Sequence, residues 1–292
     1  MRQSKSWSGY TQTRICMRDS EASIAMTNPT QLSIVTVVKD DIRGFRRTFE
    51  SLSCQTIRNF EWVIVDSSEL DEVHKLVAES KLGFPVNYIN SSPNGIYPAM
   101  NLGLRQCVGD WVWYLNAGDI LTSPDAITEA TGWLKDDIGS VAFAVQHVDA
   151  VGRIRAVTTP KLTPRNLHDA EYIVANINHQ GFISKKELII GQDGFDESLK
   201  FAGDGKLLDS LVTNFSIELH NDILVSFEIG GASTLHFRAL LNEIDSYRPF
   251  AGRLLQHRLA KENMILRNRL RRMKIWFLAS RIRRAMRKNL TL

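Results

Sequence analysis

Cysteine is scarce in this 292-residue chain: Cys16, Cys54 and Cys107 stand far apart. None has the close spacing of a thiolate metal site, and three thiols are too few for a disulfide framework, so they suit burial in a reducing compartment. No apolar run approaches the roughly 18–20 residues that cross a bilayer; in the C-terminal third the longest is IWFLA. Neither G-x-G-x-x-G nor G-x-x-x-x-G-K-[ST] occurs, which removes the glycine loops that cradle phosphates. Internal repeats are also lacking.

What is present is a soluble, globular composition, with 43% hydrophobic and 23% charged residues. The length favours one large domain with appendages. The net charge of +4 hides an asymmetry: residues 253–292 carry thirteen Lys/Arg against Glu262 alone, a local +12, which leaves −8 for residues 1–252. A mildly acidic body is thus joined to an intensely basic tail.

Residues 1–30, rich in Ser, Thr, Arg and Gln without periodicity, read as a disordered leader, with Met17 or Met26 as alternative starts. LSIVTVV (32–38), EWVIVD (61–66), VNYIN (86–90) and WVWYLN (111–116) read as strands, continuous and β-branched enough for a buried parallel sheet. Helices are expected at 43–57, 70–80 and 97–108. In the last, Ile96, Ala99, Met100, Gly103, Leu104 and Cys107 form one stripe, and Pro98 fits the first turn. The alternation gives a doubly wound, mostly parallel α/β sheet with helices on both faces. Beyond residue 120 the pattern predicts a helix at 123–134, a hairpin of 140–148 with 153–158, and a strand at 179–184. A short helix follows at KKELIIG, then a helix at 204–213, strands at 215–219 and 223–229, and helix from Thr234 onward.

Asp66 and Asp119 each close a buried strand, which places both carboxylates at the C-terminal edge of one sheet, where open α/β folds hold ligands. The simpler alternative makes each a turn or cap residue. With no glycine loop, an anionic nucleotide facing these acids needs a bridging cation, and Mg²⁺ or Mn²⁺ takes few protein oxygens and several from phosphate. Asp119 is then the metal-ligand candidate and Asp66 the base- or ribose-binding candidate.

The ordered segments LSIVTVVKDD, RTFESLSCQTIRNFEWVIVDSSELD, NGIYPAMNLGL, GDWVWYLNAGD, NHQGFISKKEL and GFDESLKFAGD closely resemble family 2 glycosyltransferases of the GT-A fold. The likeness is greatest to the branch of bacterial exopolysaccharide (colanic-acid-like) synthesis and covers about residues 31–235. It implies a nucleotide-sugar-binding half (31–120), an acceptor half (121–235) and a helical extension (236–292). The activity implied is inverting transfer of a sugar from a nucleotide-sugar donor to a hydroxyl, on a glycan or lipid-linked acceptor. Matched by position, Thr36, Asp66, Asp71, Asn94, Gly95, Tyr97 and Asn101 would bind the donor nucleotide. Asn116 and Asp119 would hold Mg²⁺ or Mn²⁺, and Asp204 would be the general base. His179 and Gln180 would face the acceptor, and His236 follows the GGAST turn on the catalytic side. Asn116 replaces one carboxylate of the usual D-x-D, SSEL replaces a glycine-rich loop after Asp66, and Lys206 replaces an acid.

In the tail, Leu266, Leu270, Met273 and Phe277, then Leu278, Ile282 and Met286, make an apolar stripe among Arg and Lys. Such a helix is expected on an anionic membrane surface, which implies a cytoplasmic protein held peripherally at the inner face of the cell membrane; the alternatives are nucleic-acid binding and simple packing of the helix against the domain. No nucleic-acid motif accompanies the charge. Two other functions are compatible with parts of the sequence. A sugar nucleotidyltransferase needs a glycine- and basic-rich loop that VVKDDIRG does not supply. A non-catalytic membrane-associated sugar-nucleotide-binding or scaffold protein is motivated by Asn116 and Lys206.

Overall fold

A computed structural model describes residues 31–164, 172–174, 177–229 and 236–247. The expected leader (1–30) and the basic tail (253–292) lie outside the described residues. The chain divides into two units, Met1–Leu235 and His236–Leu292; in the second, the described part is the helix Phe237–Tyr247.

The first unit runs β1 (Leu32–Val38), α1 (Ile42–Ser53), β2 (Phe60–Asp66), α2 (Glu72–Ala78), β3 (Val86–Asn90), α3 (Ile96–Gln106), β4 (Trp111–Tyr114) and β5 (Ile120–Leu121). It continues with α4 (Ala126–Thr131), β6 (Ser140–Val148), β7 (Ile154–Thr158), β8 (Leu162–Pro164), β9 (Tyr172–Val174) and a 3-10 turn at His179–Gly181. The last elements are β10 (Phe182–Lys185), α5 (Lys186–Gly191), α6 (Gly203–Asn214) and β11 (Ile217–Glu228). The main sheet is ordered β3-β2-β1-β4-β10-β6-β11-β5, with β7 also paired to β6, and β8 and β9 form a separate ribbon. Strands β1 to β4 pair in parallel, as the βα alternation predicts. The second half is mixed: β10 is antiparallel to both β4 and β6, whereas β11 is parallel to β6.

Every residue of β1 and β2 is buried, because helices cover both faces of the sheet. Alternate residues feed two cores. Ile34, Trp62 and Trp113 join Phe45 and Leu52 of α1 on one face; Val35, Val63 and Val65 join Tyr97, Met100 and Leu104 of α3 on the other. Phe45 stacks on Trp62 at 5.4 Å between ring centroids, fixing α1 against the sheet. Asp41 caps α1, its Oδ1 accepting the Gly44 N–H at 2.8 Å. At the opposite sheet edge the buried Glu61 carboxylate accepts from the Ser33 hydroxyl and from the Val108 and Gly109 N–H groups, tying β1, β2 and the α3–β4 turn together.

Several expected boundaries change. The expected strands 215–219 and 223–229 are one strand, β11, whose register shifts between Leu219 and Val225 absorb the polar His-Asn-Asp interruption. The expected strand at 179–184 begins as the 3-10 turn, and β5, β8 and β9, of two or three residues each, are too short to leave a periodic signal. The helix at 43–57 stops at Ser53, where the Cys54 N–H closes back on Glu50 O.

Gly103 sets how closely α3 approaches the sheet. A Cβ there would sit 2.5 Å from Val35 Cγ1 in the packed interior. Helix propensity alone favours alanine by ~1 kcal/mol, but overpacking opposes it. Gly103→Ala is expected to destabilise the protein by about 1–2 kcal/mol, read as a lower urea midpoint at unchanged slope; a stabilised variant contradicts this packing.

Candidate active site

The parallel strands β1, β2 and β4 end at one edge of the sheet, so the residues that follow them share a crevice. After β4 the chain makes the turn Asn116-Ala117-Gly118-Asp119. It is closed by Asp119 N–H to Asn116 O at 2.9 Å and by Asn116 N–H to Asp119 Oδ2 at 2.8 Å. Gly118 takes a φ of +101°, a conformation that glycine adopts without strain. Thr48 of α1, fully buried, anchors this turn from below: its hydroxyl accepts from Gly118 N–H at 3.0 Å and donates to Asp119 O at 2.8 Å. Arg47 approaches Gly118 as well and pairs with Glu228 at the end of β11 at 2.8 Å.

The antiparallel register of β10 on β4, Ile183 opposite Trp113 and Lys185 opposite Trp111, carries the start of β10 past the end of β4. His179 consequently arrives beside Asn116, with Nε2 3.3 Å from Asn116 Nδ2. His179 Nδ1 lies 3.0 Å from Asp204 Oδ2, in the first turn of α6, and Tyr97 Oη donates to Asp204 Oδ1 at 3.1 Å. Asn116, His179, Asp204 and Tyr97 thus form one hydrogen-bonded chain, and Asp204, its one carboxylate, is 31% exposed.

Burial disfavours the charge on Asp204, but the hydrogen bond and charge of His179, with the Gly205 N–H and Tyr97, outweigh it and hold the carboxyl below its ordinary pKa. Burial likewise pushes the His179 imidazole down, and the hydrogen bond and charge of Asp204, aided by Asp119, bring it above its ordinary value. A neutral imidazole protonated on Nδ1 makes both of its contacts. A second proton on Nε2 would face the Asn116 amide N–H, which opposes the rise.

On the other side of the crevice, Asp66 is almost completely buried, accepting from Ser68 N–H at 2.9 Å and from Tyr88 Oη at 2.7 Å. Asp40, at φ +52°, accepts from Glu69 N–H at 3.0 Å and its own N–H donates to Ser68 at 2.8 Å, joining the loops after β1 and β2. Asp71 sits exposed at the start of α2, and Asn94 and Gly95 are exposed just before α3.

Three expected donor contacts are replaced by other roles. Thr36 is wholly buried and does not reach the crevice: its hydroxyl donates to Leu115 O at 2.6 Å and accepts Trp62 Nε1–H at 2.8 Å. Asn101 faces the loop before α6, donating to Phe195 O and Glu197 and accepting Phe195 N–H. Tyr97 turns its hydroxyl toward Asp204. Gln180 contributes its carbonyl to Trp113 Nε1–H at 2.7 Å. His236, exposed, begins the second unit, where its carbonyl accepts Leu240 N–H at 3.1 Å. Thr48, Arg47 and Tyr88 were not anticipated. The readable signal was Thr48, a polar residue on the apolar stripe of Phe45, Phe49 and Leu52.

A hard divalent cation fits the Asn116–Asp119 turn. Asn116 Oδ1 is buried with no hydrogen-bond partner, and Asp119 supplies a carboxylate three residues on. Among the described residues no group of three or more His, Cys, Asp or Glu could hold a metal, so the protein's donor set here is a pair of oxygens, and phosphate and water would supply the remaining ligands.

Burial pushes the Asp119 carboxyl up to about 7, although the His179 charge, the Asn116 N–H and Arg47 pull it down. An unfolded Asp titrates near ~4. The folded state therefore binds the extra proton between these values, and its stability falls as pH rises through that window. Asp119→Asn removes the loss: between pH 4 and pH 8 the metal-free variant is expected to gain about 1–3 kcal/mol relative to the parent chain. Denaturant unfolding at each pH measures this, and a difference that does not vary with pH contradicts it.

The chain is similar to known proteins in sequence and in fold. Residues 33–194 match the family described as Glycosyl transferase family 2. An uncharacterized glycosyltransferase of Mycobacterium tuberculosis is 25% identical over 244 residues, 80% of this chain and 90% of that one. Another uncharacterized glycosyltransferase, from Haemophilus influenzae, is 39% identical over 167 residues, 56% of this chain and 55% of that one. Among solved structures, S. aureus TarS 1-349 superposes with a TM-score of 0.56 at 16% identity, over 74% of this chain and 64% of that one. The mannosyltransferase PcManGT from Pyrobaculum calidifontis, in complex with GDP-Man and Mn²⁺, gives 0.53 at 17% identity, over 74% and 62%. The curled, mostly parallel sheet with its helices is therefore of the GT-A type, and the chain belongs to glycosyl transferase family 2.

Proposed function

We propose that this chain moves a sugar, with inversion, from a nucleotide-sugar donor to a hydroxyl acceptor, using Asp204 as general base. The observation that carries this reading is the pairing, on one crevice, of a hard-oxygen turn at Asn116–Asp119 with an ionised carboxylate, Asp204, bonded to His179. The donor lies along the side lined by Asp66, Asp71, Asn94 and Gly95, and its diphosphate faces Asn116 and Asp119. A Mg²⁺ or Mn²⁺ ion bound there supplies Lewis-acid neutralisation of the charge that develops on the diphosphate leaving group. Support for nucleotide sugars and Mn²⁺ comes from structural neighbours, TarS in complex with UDP-GlcNAc and PcManGT with GDP-Man and Mn²⁺.

Asp204 accepts the acceptor hydroxyl's proton as that oxygen bonds to the anomeric carbon and the bond from that carbon to the phosphate oxygen breaks on the opposite face. The depressed pKa keeps Asp204 ready as a base over the neutral range, at some cost in basicity. His179 holds Oδ2, and His179 with Gln180 borders the acceptor. A lipid-linked acceptor in surface-polysaccharide synthesis agrees with the basic, apolar-striped segment 253–292, which would hold the enzyme at the cytoplasmic face of the membrane. Among the described residues no helix is long and apolar enough to cross a membrane.

Thermal shift with a panel of UDP-, GDP- and dTDP-sugars, with and without Mn²⁺, identifies the donor, and hydrolysis of that donor reads turnover. Asp204→Asn is expected to lower turnover by about 10²–10⁴-fold while the donor shift stays within error; normal turnover overturns the assignment. Binding without hydrolysis of any donor would favour the scaffold reading instead. Truncation at Arg253 is expected to abolish salt-reversible binding to vesicles containing anionic lipid, and unchanged binding removes the membrane role of the tail.

A further inference from the structure

Two residues one turn apart on α3, Tyr97 and Asn101, share a helix face. Asn101 grips both backbone groups of Phe195, accepting its N–H and donating to its carbonyl, each at 2.8 Å. The Phe195 ring stacks on the Tyr97 ring, 5.7 Å between centroids and 13° from parallel. Tyr97 Oη then donates to Asp204 Oδ1 at 3.1 Å. Two glycines permit this close approach. At Gly194, with φ of +71°, a Cβ would lie 2.5 Å from Asn101 Oδ1, and at Gly203 one would lie 2.8 Å from the Tyr97 ring. Tyr97 is 4% exposed, so it has no room to move away from this bond. A cavity of about 20 Å³, lined by Tyr114, Phe182, Phe195 and Leu207 among others, adjoins His179 and Asp204; its apolar wall strengthens each hydrogen bond made beside it.

We infer that Tyr97 is a positioning residue: braced by Phe195 and Asn101, its hydroxyl fixes Asp204 Oδ1 while His179 fixes Oδ2, so that the carboxylate meets the acceptor in one orientation. The inference rests on the reading of Asp204 as the base. A carboxylate has about four lone-pair sites, so the bonds from His179, Tyr97 and the Gly205 N–H orient Asp204 and still leave it a site for the incoming proton. The charged and titratable groups facing Asp204 are His179 from the 3-10 turn and Tyr97 from α3, with Asp119 acting through His179. Lys206, on the same helix, is engaged by Asp196 at 2.5 Å. Burial raises the Tyr97 phenol far above its ordinary range, with the Asp204 charge adding to it, so it stays a donor at every working pH.

Tyr97→Phe removes the hydroxyl and keeps the ring on Phe195. A hydrogen bond donated to a carboxylate favours its ionised form, so its loss raises the pKa. In ¹³C-carboxyl NMR, with the Asp204 signal assigned from Asp204→Asn, the Asp204 midpoint is expected to rise by about one pH unit in Tyr97→Phe. This readout needs no donor. With UDP-GlcNAc or GDP-Man and Mn²⁺, hydrolysis is expected to show kcat lower by about 10-fold, the acid limb of its pH profile moved upward, and KM for the donor unchanged. An unmoved Asp204 midpoint overturns the inference, as does unchanged kcat in a background where Asp204→Asn is inactive. If Asp204→Asn itself turns over normally, the base assignment fails, whatever Tyr97→Phe does.

Discussion

The site depends on one strand pairing, the antiparallel contact of β10 with β4. Parallel strands alone would deliver the Asn116–Asp119 turn to the sheet edge and leave it facing solvent. Because β10 runs the other way, its first residues reach the edge where β4 ends, and Ile183 opposite Trp113 sets the offset that places His179 beside Asn116. α5 then returns the chain, and α6 begins at the same edge with Asp204 in its first turn. A slip of one residue would turn every β10 side chain to the other face. Buried Ile183 and Phe182 on opposite faces hold the register against it.

Around this pairing the protein places polar groups where burial makes them expensive, and satisfies most of them from the framework. Thr48 bonds the turn from α1, Tyr88 and Ser68 bond Asp66, and Asn101 bonds the loop before α6. At the turn itself the satisfaction is incomplete. Asn116 Oδ1 has no partner, and burial raises the Asp119 carboxyl. An oxygen left unsatisfied costs stability, and a turn that sets it beside a buried carboxylate is suited to a cation. The asparagine in place of a second acid also limits the repulsion that two buried carboxylates three residues apart would generate.

Much of the first half was legible because its signals are local. Runs such as LSIVTVV and FEWVIVD can only be strands buried on both faces, and the α3 stripe from Ile96 to Cys107 fixes a helix. The carboxylates at strand ends follow from the same reading. The mixed second half was not legible in this way, since antiparallel pairing of β10 depends on residues some 70 positions apart in sequence. Side-chain direction was the other gap. Tyr97 and Asn101 belong to a segment expected to line a donor pocket, yet helical geometry turns both toward α6 and the loop before it. Thr36 lies in a strand whose end lines the crevice, but its own side chain points into the core, toward Trp62.

The central claim is that the Asn116–Asp119 turn and the His179–Asp204 pair serve one reaction at one site. An anomalous difference map from crystals grown with Mn²⁺ and a nucleoside diphosphate tests it most directly. A peak is expected at bonding distance from Asn116 Oδ1 and an Asp119 carboxylate oxygen, with the diphosphate on the side toward Asp66. A well-occupied cation elsewhere in the crevice, or a nucleotide whose diphosphate lies away from Asn116 and Asp119, would contradict it.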